Sequence, residues 1–199
     1  GRLGHWFGSQ ALGFRPDGIS VAKALSSAYV PIAGTMINET MYQALVTESQ
    51  KIGTFGHGFT YSGHPVAAAV ALKTLEIYRR DRVIEACAAK APQFQARLSA
   101  LADHPLVGEA RGLGLVGGIE LVADKPTKQS FDPKKGVAAY CVRAAEQNGL
   151  IVRFISGDVI SICPPLIISA AEIDDMFDRL GRALDQTLDW AKREQLLAA

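Results

Sequence analysis

Long apolar runs are missing from this sequence. No stretch approaches the roughly 20 residues that a membrane-crossing helix requires, so no membrane partner is expected. An excess of one charge is missing too: 21 Lys and Arg stand against 20 Asp and Glu, a net charge of +1. Without a basic stripe there is no electrostatic footprint for nucleic acid, and the densest cluster, Arg79-Arg80-Asp81-Arg82, reads as a solvated helix end. Cysteine is scarce and odd in number: Cys87, Cys141 and Cys163 lie in apolar surroundings without metal-like spacing. That usage suits reduced thiols in a cytoplasmic protein better than a disulfide framework. His5, His57 and His64 fall on separate stretches with no carboxylate at ligand spacing, so no metal site is expected. Internal repeats and low-complexity tracts are lacking as well.

What the chain does have is enough length, 199 residues, and enough hydrophobic content, 48%, to bury the core of one medium domain or two small ones. Its most informative feature is Lys23, in the run Asp17-Gly-Ile-Ser-Val-Ala-Lys23-Ala-Leu-Ser-Ser-Ala-Tyr29-Val-Pro31. An apolar β-forming stretch ends at the lysine, and small residues follow at once. Two readings are open. A lysine at the end of a buried strand loses hydration, which lowers its pKa and frees the amine to attack a carbonyl, as a Schiff-base lysine must. The alternative is a strand-end lysine pointing into water.

Periodicity predicts the following order. Residues 17–22 and 33–37 read as strands joined by the lysine loop. Asn38 is placed to cap a helix over 39–47, and 48–61 is a glycine-rich loop. Pro65 opens a helix over 65–78 that is apolar almost all round, hence expected to be buried on most sides. Residues 83–102 form an amphipathic helix with Ile84, Cys87, Ala91, Phe94, Leu98 and Leu101 on one face. Residues 107–111 and 115–122 read as an antiparallel pair, 123–135 as a loop, and 136–148 as a helix ended by Asn148-Gly149. Residues 150–153 and 158–163 are short strands, so that Arg153 ends the first of them. Ser169 and Glu172 form a capping box for a last helix over 170–194. The expected class is α/β followed by α+β.

Several segments together carry a resemblance. The lysine run, Gly1-Arg2-Leu3-Gly4-His5-Trp6-Phe7-Gly8, His57-Gly58-Phe59-Thr60-Tyr61-Ser62-Gly63-His64-Pro65, Ala110-Arg111-Gly112-Leu113-Gly114-Leu115, Gly117-Gly118-Ile119-Glu120-Leu121, Ile151-Val152-Arg153, and Gly157-Asp158 through Pro164-Pro165-Leu166-Ile167-Ile168 come in order along nearly the whole chain. In this set the chain resembles the class III aminotransferases, pyridoxal-phosphate enzymes of fold type I, with a flavour closest to omega-amino-acid or amine:pyruvate transaminases. The resemblance implies the C-terminal half of such an enzyme. Residues 1–88 would be the C-terminal part of the cofactor-binding large domain, and 89–199 the small α+β domain. Because Gly1 falls inside a family signature, the chain is expected to be a fragment. The family's aspartate for the pyridine nitrogen would lie upstream, and the fragment alone is expected to be inactive.

The resemblance also implies roles. Lys23 would hold pyridoxal 5'-phosphate covalently and shuttle the substrate proton. Thr60, with the backbone N–H of Phe59, would reach the cofactor phosphate of a neighbouring subunit, so a homodimer or larger homo-oligomer is expected. Arg153 would pair with the carboxylate of a keto acid, its planar fork suiting that group. Arg111 is the competing candidate, although a domain-junction role fits it better. The implied reaction moves an amino group from a small-molecule amine or omega-amino acid to pyruvate or a similar keto acid. The alternatives are a catalytically dead dimerisation or binding module, and a family aminomutase or decarboxylase.

Overall fold

The computed structural model describes residues 1–197 and divides into two compact units. The smaller is Gly8–Val83; the larger joins Gly1–Phe7 to the chain from Ile84 onward.

The smaller unit starts with a single helical turn, α1 (Gly8–Ala11), and a two-stranded ribbon. Strands β1 (Gly18–Val21) and β2 (Gly34–Ile37) pair antiparallel, with Ile19 opposite Met36. A 3-10 turn, Lys23–Leu25, lies between them. Helix α2 (Glu39–Ile52) is capped by Asn38, whose side chain accepts from the Met41 N–H at 2.9 Å. It runs five residues past the expected end at Thr47. Gln50 and Lys51 are good helix formers, Lys51 pairs with Glu48 one turn back, and the stop comes where Gly53 takes a positive φ. Helix α3 (Pro65–Arg80) opens at its proline as expected, but its burial differs from expectation. Ala71 and Thr74 are buried, while Leu72 stands 69% exposed. An all-round apolar sequence says that a helix can be covered, not that this chain covers it.

The larger unit has a core. Helix α4 (Val83–Ala100) enters it, followed by a 3-10 turn, Leu101–Asp103. A four-stranded antiparallel sheet, ordered β3-β4-β6-β5, combines β3 (Val107–Leu113), β4 (Val116–Leu121), β5 (Arg153–Ile155) and β6 (Val159–Ile162). Helix α5 (Val137–Gln147) packs against α6 (Ala170–Arg193). Phe94 and Leu98 of α4, Ile119 and Leu121 of β4, Ile160 and Ile162 of β6, and Phe177 and Leu180 of α6 are all essentially buried in one cluster. The Phe94 and Phe177 rings meet edge to face, 5.2 Å between centroids. Helix and sheet approach closely because Gly112 and Gly117, paired across β3 and β4, leave space for Leu98. A Cβ on either glycine would lie within 2.6 Å of a Leu98 methyl. The capping box of α6 is present in full: Ser169 Oγ accepts from the Glu172 N–H at 3.2 Å, and Glu172 accepts from the Ser169 N–H at 2.7 Å. Among the described residues, no helix is long and apolar enough to cross a membrane.

Candidate active site

Lys23 opens the 3-10 turn with φ +52°, and Ser27 and Ala28 also have positive φ, at +49° and +62°. Each non-glycine residue in that region costs on the order of 1–2 kcal/mol, so the turn is strained unless its surroundings hold it. Its own backbone closes it. The Lys23 carbonyl accepts from both the Ser26 and Ala28 N–H groups, each at 3.2 Å. The Ser26 hydroxyl, buried, donates to the Val30 carbonyl at 2.7 Å. From α3, Tyr78 donates to the Ala24 carbonyl at 3.2 Å.

The Lys23 side chain itself is exposed, and its amine makes no hydrogen bond or ion pair with the described residues. This corrects the expectation of a desolvated lysine at a buried strand end. The ribbon behind it alternates exposed and half-buried residues in β1 and is exposed along β2, so no apolar wall encloses the amine among the described residues.

The segment between α2 and α3 is open. Phe59 is 76% exposed, Thr60 is exposed, and the Thr60 hydroxyl has no hydrogen-bond partner among the described residues. The Phe59 N–H, expected to be available for a phosphate, donates to Ser62 Oγ at 3.1 Å in a local turn. An incoming anion would have to displace or share that hydroxyl.

Arg153 lies in the larger unit, and its place in the strand is the reverse of expectation. It begins β5 rather than ending a strand over 150–153. The Leu150 N–H is drawn back to the Ala145 carbonyl at 2.9 Å in the turn through Gly149, so pairing with β6 starts only at Arg153, opposite Ser161. Arg153 lines a cleft of about 730 Å³ with Ile151, Cys163, Pro165, Ile167 and Met176. No carboxylate among the described residues pairs with it. Arg111 behaves differently: its guanidinium lies 3.1 Å from a Glu120 oxygen and 3.5 Å from a Glu109 oxygen. Of the two arginines, Arg153 has its fork available for a carboxylate from outside.

Two cations bind carbonyls of the 164–168 segment, part of which lines the cleft. Arg2 donates to the carbonyls of Pro164 at 2.5 Å and Leu115 at 3.0 Å. Lys90 donates to the carbonyls of Leu166, at 3.3 Å, and of Ile168. No short-range pattern announces these contacts, which span 76 to 162 residues. Cys141 is no candidate nucleophile, because burial pushes its thiol up to about 11. Lys23, Phe59 and Thr60 thus belong to one unit and Arg153 to the other.

Comparison with known proteins bears on what these residues do. A family model described as Aminotransferase class-III matches residues 1–184. Over 188 residues the chain is 47% identical to a putrescine–pyruvate aminotransferase of Pseudomonas aeruginosa, covering 94% of this chain and 40% of that protein. Over 187 residues it is 44% identical to the chloroplastic gamma aminobutyrate transaminase 3 of Solanum lycopersicum, covering 94% of this chain and 36% of that one. The chain therefore spans well under half the length of these curated relatives. An omega transaminase from Pseudomonas jessenii in complex with PMP matches with a TM-score of 0.89 at 41% identity, over 96% of this chain and 42% of that one. A PMP-bound aminotransferase from Vibrio fluvialis matches with a TM-score of 0.90 at 35% identity, over 95% of this chain and 42% of that one.

Proposed function

Because the chain belongs to the class-III aminotransferases, we propose that its protein moves an amino group from an amine or omega-amino acid to pyruvate or a similar keto acid, with Lys23 as the lysine that attaches the cofactor. Class-III aminotransferases use pyridoxal phosphate. The fold is part of that of a pyridoxal-phosphate-dependent transaminase. The observation that carries the reading is the Lys23 turn. An unengaged amine stands on a tightly closed backbone of small residues, and that arrangement fits a planar aldehyde cofactor.

When bound, pyridoxal phosphate supplies the carbonyl that the lysine attacks and a ring that stabilises negative charge at the substrate carbon. The chain supplies the rest. Lys23 Nζ would take the proton from the substrate carbon and deliver it to the carbon that had been the cofactor's carbonyl, a role typically worth roughly 10² to 10⁴ in rate. Arg153 holds the keto-acid carboxylate through its unpaired guanidinium. The Thr60 hydroxyl, unpartnered among the described residues, donates to a phosphate oxygen. In the homodimer expected from the family, that phosphate belongs to the neighbouring subunit. Mixing Thr60→Ala and Lys23→Ala proteins then creates one intact site per hybrid dimer and restores part of the activity; no recovery after proven subunit exchange overturns action in trans. The named substrates of the relatives, putrescine with pyruvate and gamma-aminobutyrate, support donors with a terminal amino group.

The two half-reactions provide the test. An amine donor should bleach the absorption of the lysine-bound cofactor, and pyruvate should restore it. Arg153→Ala should spare the first step with an uncharged amine and weaken the second by on the order of 2–4 kcal/mol, roughly 30- to 1000-fold in kcat/KM. Equal losses in both steps, or none in either, would show that the arginine is structural.

A further inference from the structure

The backbone bonds within the Lys23 turn close it on itself but do not fix it to anything else. That connection comes from Tyr78, half-buried near the end of α3. Its hydroxyl donates to the Ala24 carbonyl at 3.2 Å, and its oxygen lies 3.1 Å from Ser27 Oγ. A phenol carries one proton. With that proton on Ala24, the Ser27 hydroxyl is the donor of the second bond. Tyr78 therefore grips the turn at the residue after Lys23 and at Ser27, the first of the two consecutive left-handed residues that end it. A lysine with an exposed, unpaired side chain has no other means of being aimed than the backbone beneath it. The position of its amine depends on a strained turn keeping its shape.

We propose that Tyr78 is a positioning residue for the transamination chemistry. Its hydroxyl pins the Lys23–Ala28 turn to α3, so that the Lys23 amine is presented in one place for cofactor attachment and for proton movement. The phenol acts through the backbone of Ala24 and the side chain of Ser27, without touching substrate. This inference rests on the reading of Lys23 as the attachment lysine.

Tyr78→Phe keeps the ring and removes the hydroxyl; Ser27→Ala removes the Ser27 partner of that hydroxyl. In the protein freed of cofactor and then given pyridoxal phosphate, the absorption of the lysine-bound cofactor should grow in about 5- to 20-fold more slowly for Tyr78→Phe, as expected for losing about one or two hydrogen bonds that preorganise an attacking group. In the loaded protein kcat should fall by a similar factor, while KM for the keto acid stays within about twofold. Amide hydrogen exchange across 25–29 should accelerate about tenfold without a change across α2. Ser27→Ala should give a smaller effect, and adding it to Tyr78→Phe should cost less than it does alone, because the two share a bond. Attachment rate and kcat within about twofold of the unaltered protein would overturn the proposal. So would a loss confined to thermal stability. Lys23→Ala serves as the control. If that variant still attaches the cofactor covalently, the reading of Lys23 fails first; if it does not and Tyr78→Phe is silent, the positioning role alone fails.

Discussion

From Ile84 onward, apolar side chains from α4, three of the four strands and two further helices close around one another until Phe94, Ile119, Ile160 and Leu180 have no exposure at all. Between Gly8 and Val83 the pattern is different. Among the described apolar residues of that unit only Ala71 and Val83 are buried, while Leu12, Phe14, Tyr29, Tyr42, Ile52 and Val66 stand exposed. The larger unit secures itself by burial, at roughly 1.5–3 kcal/mol for each large side chain removed from water. The smaller unit instead relies on caps and tight turns, with the Lys23 turn also held by the hydrogen bonds of Tyr78. Residues that build a core and residues kept for chemistry impose opposite demands, since a reactive amine has to stay reachable.

The largest effect that would break this contrast is in the core. Phe177→Ala should destabilise the protein by about 3–5 kcal/mol in equilibrium denaturation, because it empties the edge-to-face contact with Phe94. Leu72→Ala, on the exposed face of α3, should change stability by less than about 0.5 kcal/mol. Comparable losses at both positions would mean that the smaller unit has a core of its own weight. A smaller loss is expected from Ser169→Ala, which removes half of the capping box of α6 and should cost about 1 kcal/mol in the same measurement.

The smallest effect is pH-dependent and also confined to the larger unit. His104 accepts the Leu106 N–H on Nδ1 at 3.2 Å, and its Nε2 lies 3.4 Å from an Asp185 oxygen without hydrogen-bond alignment. Burial lowers its pKa; Asp185 works against that shift, whereas Lys125 and Lys192 add to it. Since the folded pKa lies below the unfolded one, the contribution is fully present above the ordinary histidine range. It is lost as pH falls through the folded value. His104→Gln should therefore flatten the decline in stability between about pH 6.5 and the acid limb. An unchanged acid limb would show that His104 titrates alike in both states.

Local signals were legible in the sequence where their cause is local. Asn38, Pro65, Ser169 and Gly149 mark helix ends because each satisfies or terminates backbone within a few residues. The 107–121 hairpin was legible for the same reason. Burial was not, because apolar periodicity records what a face could bury and not what arrives to cover it. That is why one face of α3 and the Lys23 side chain came out exposed. Arg153 moved from the end of a strand to its start because the Leu150 backbone is claimed by the end of α5. Arg2, Lys90 and Tyr78 were invisible as contributors, since their partners lie 51 to 162 residues away. The distinction between Arg153 and Arg111 needed the sheet register, which sets Arg111 opposite Gly118 and next to Glu120.

The account depends most on Lys23. Borohydride reduction of the pyridoxal-phosphate-loaded protein, followed by proteolysis and peptide mapping, tests it directly. The pyridoxyl label should be found on Lys23, the one lysine set in the strained small-residue turn. A label on Lys51, Lys73 or Lys90 instead would contradict the assignment.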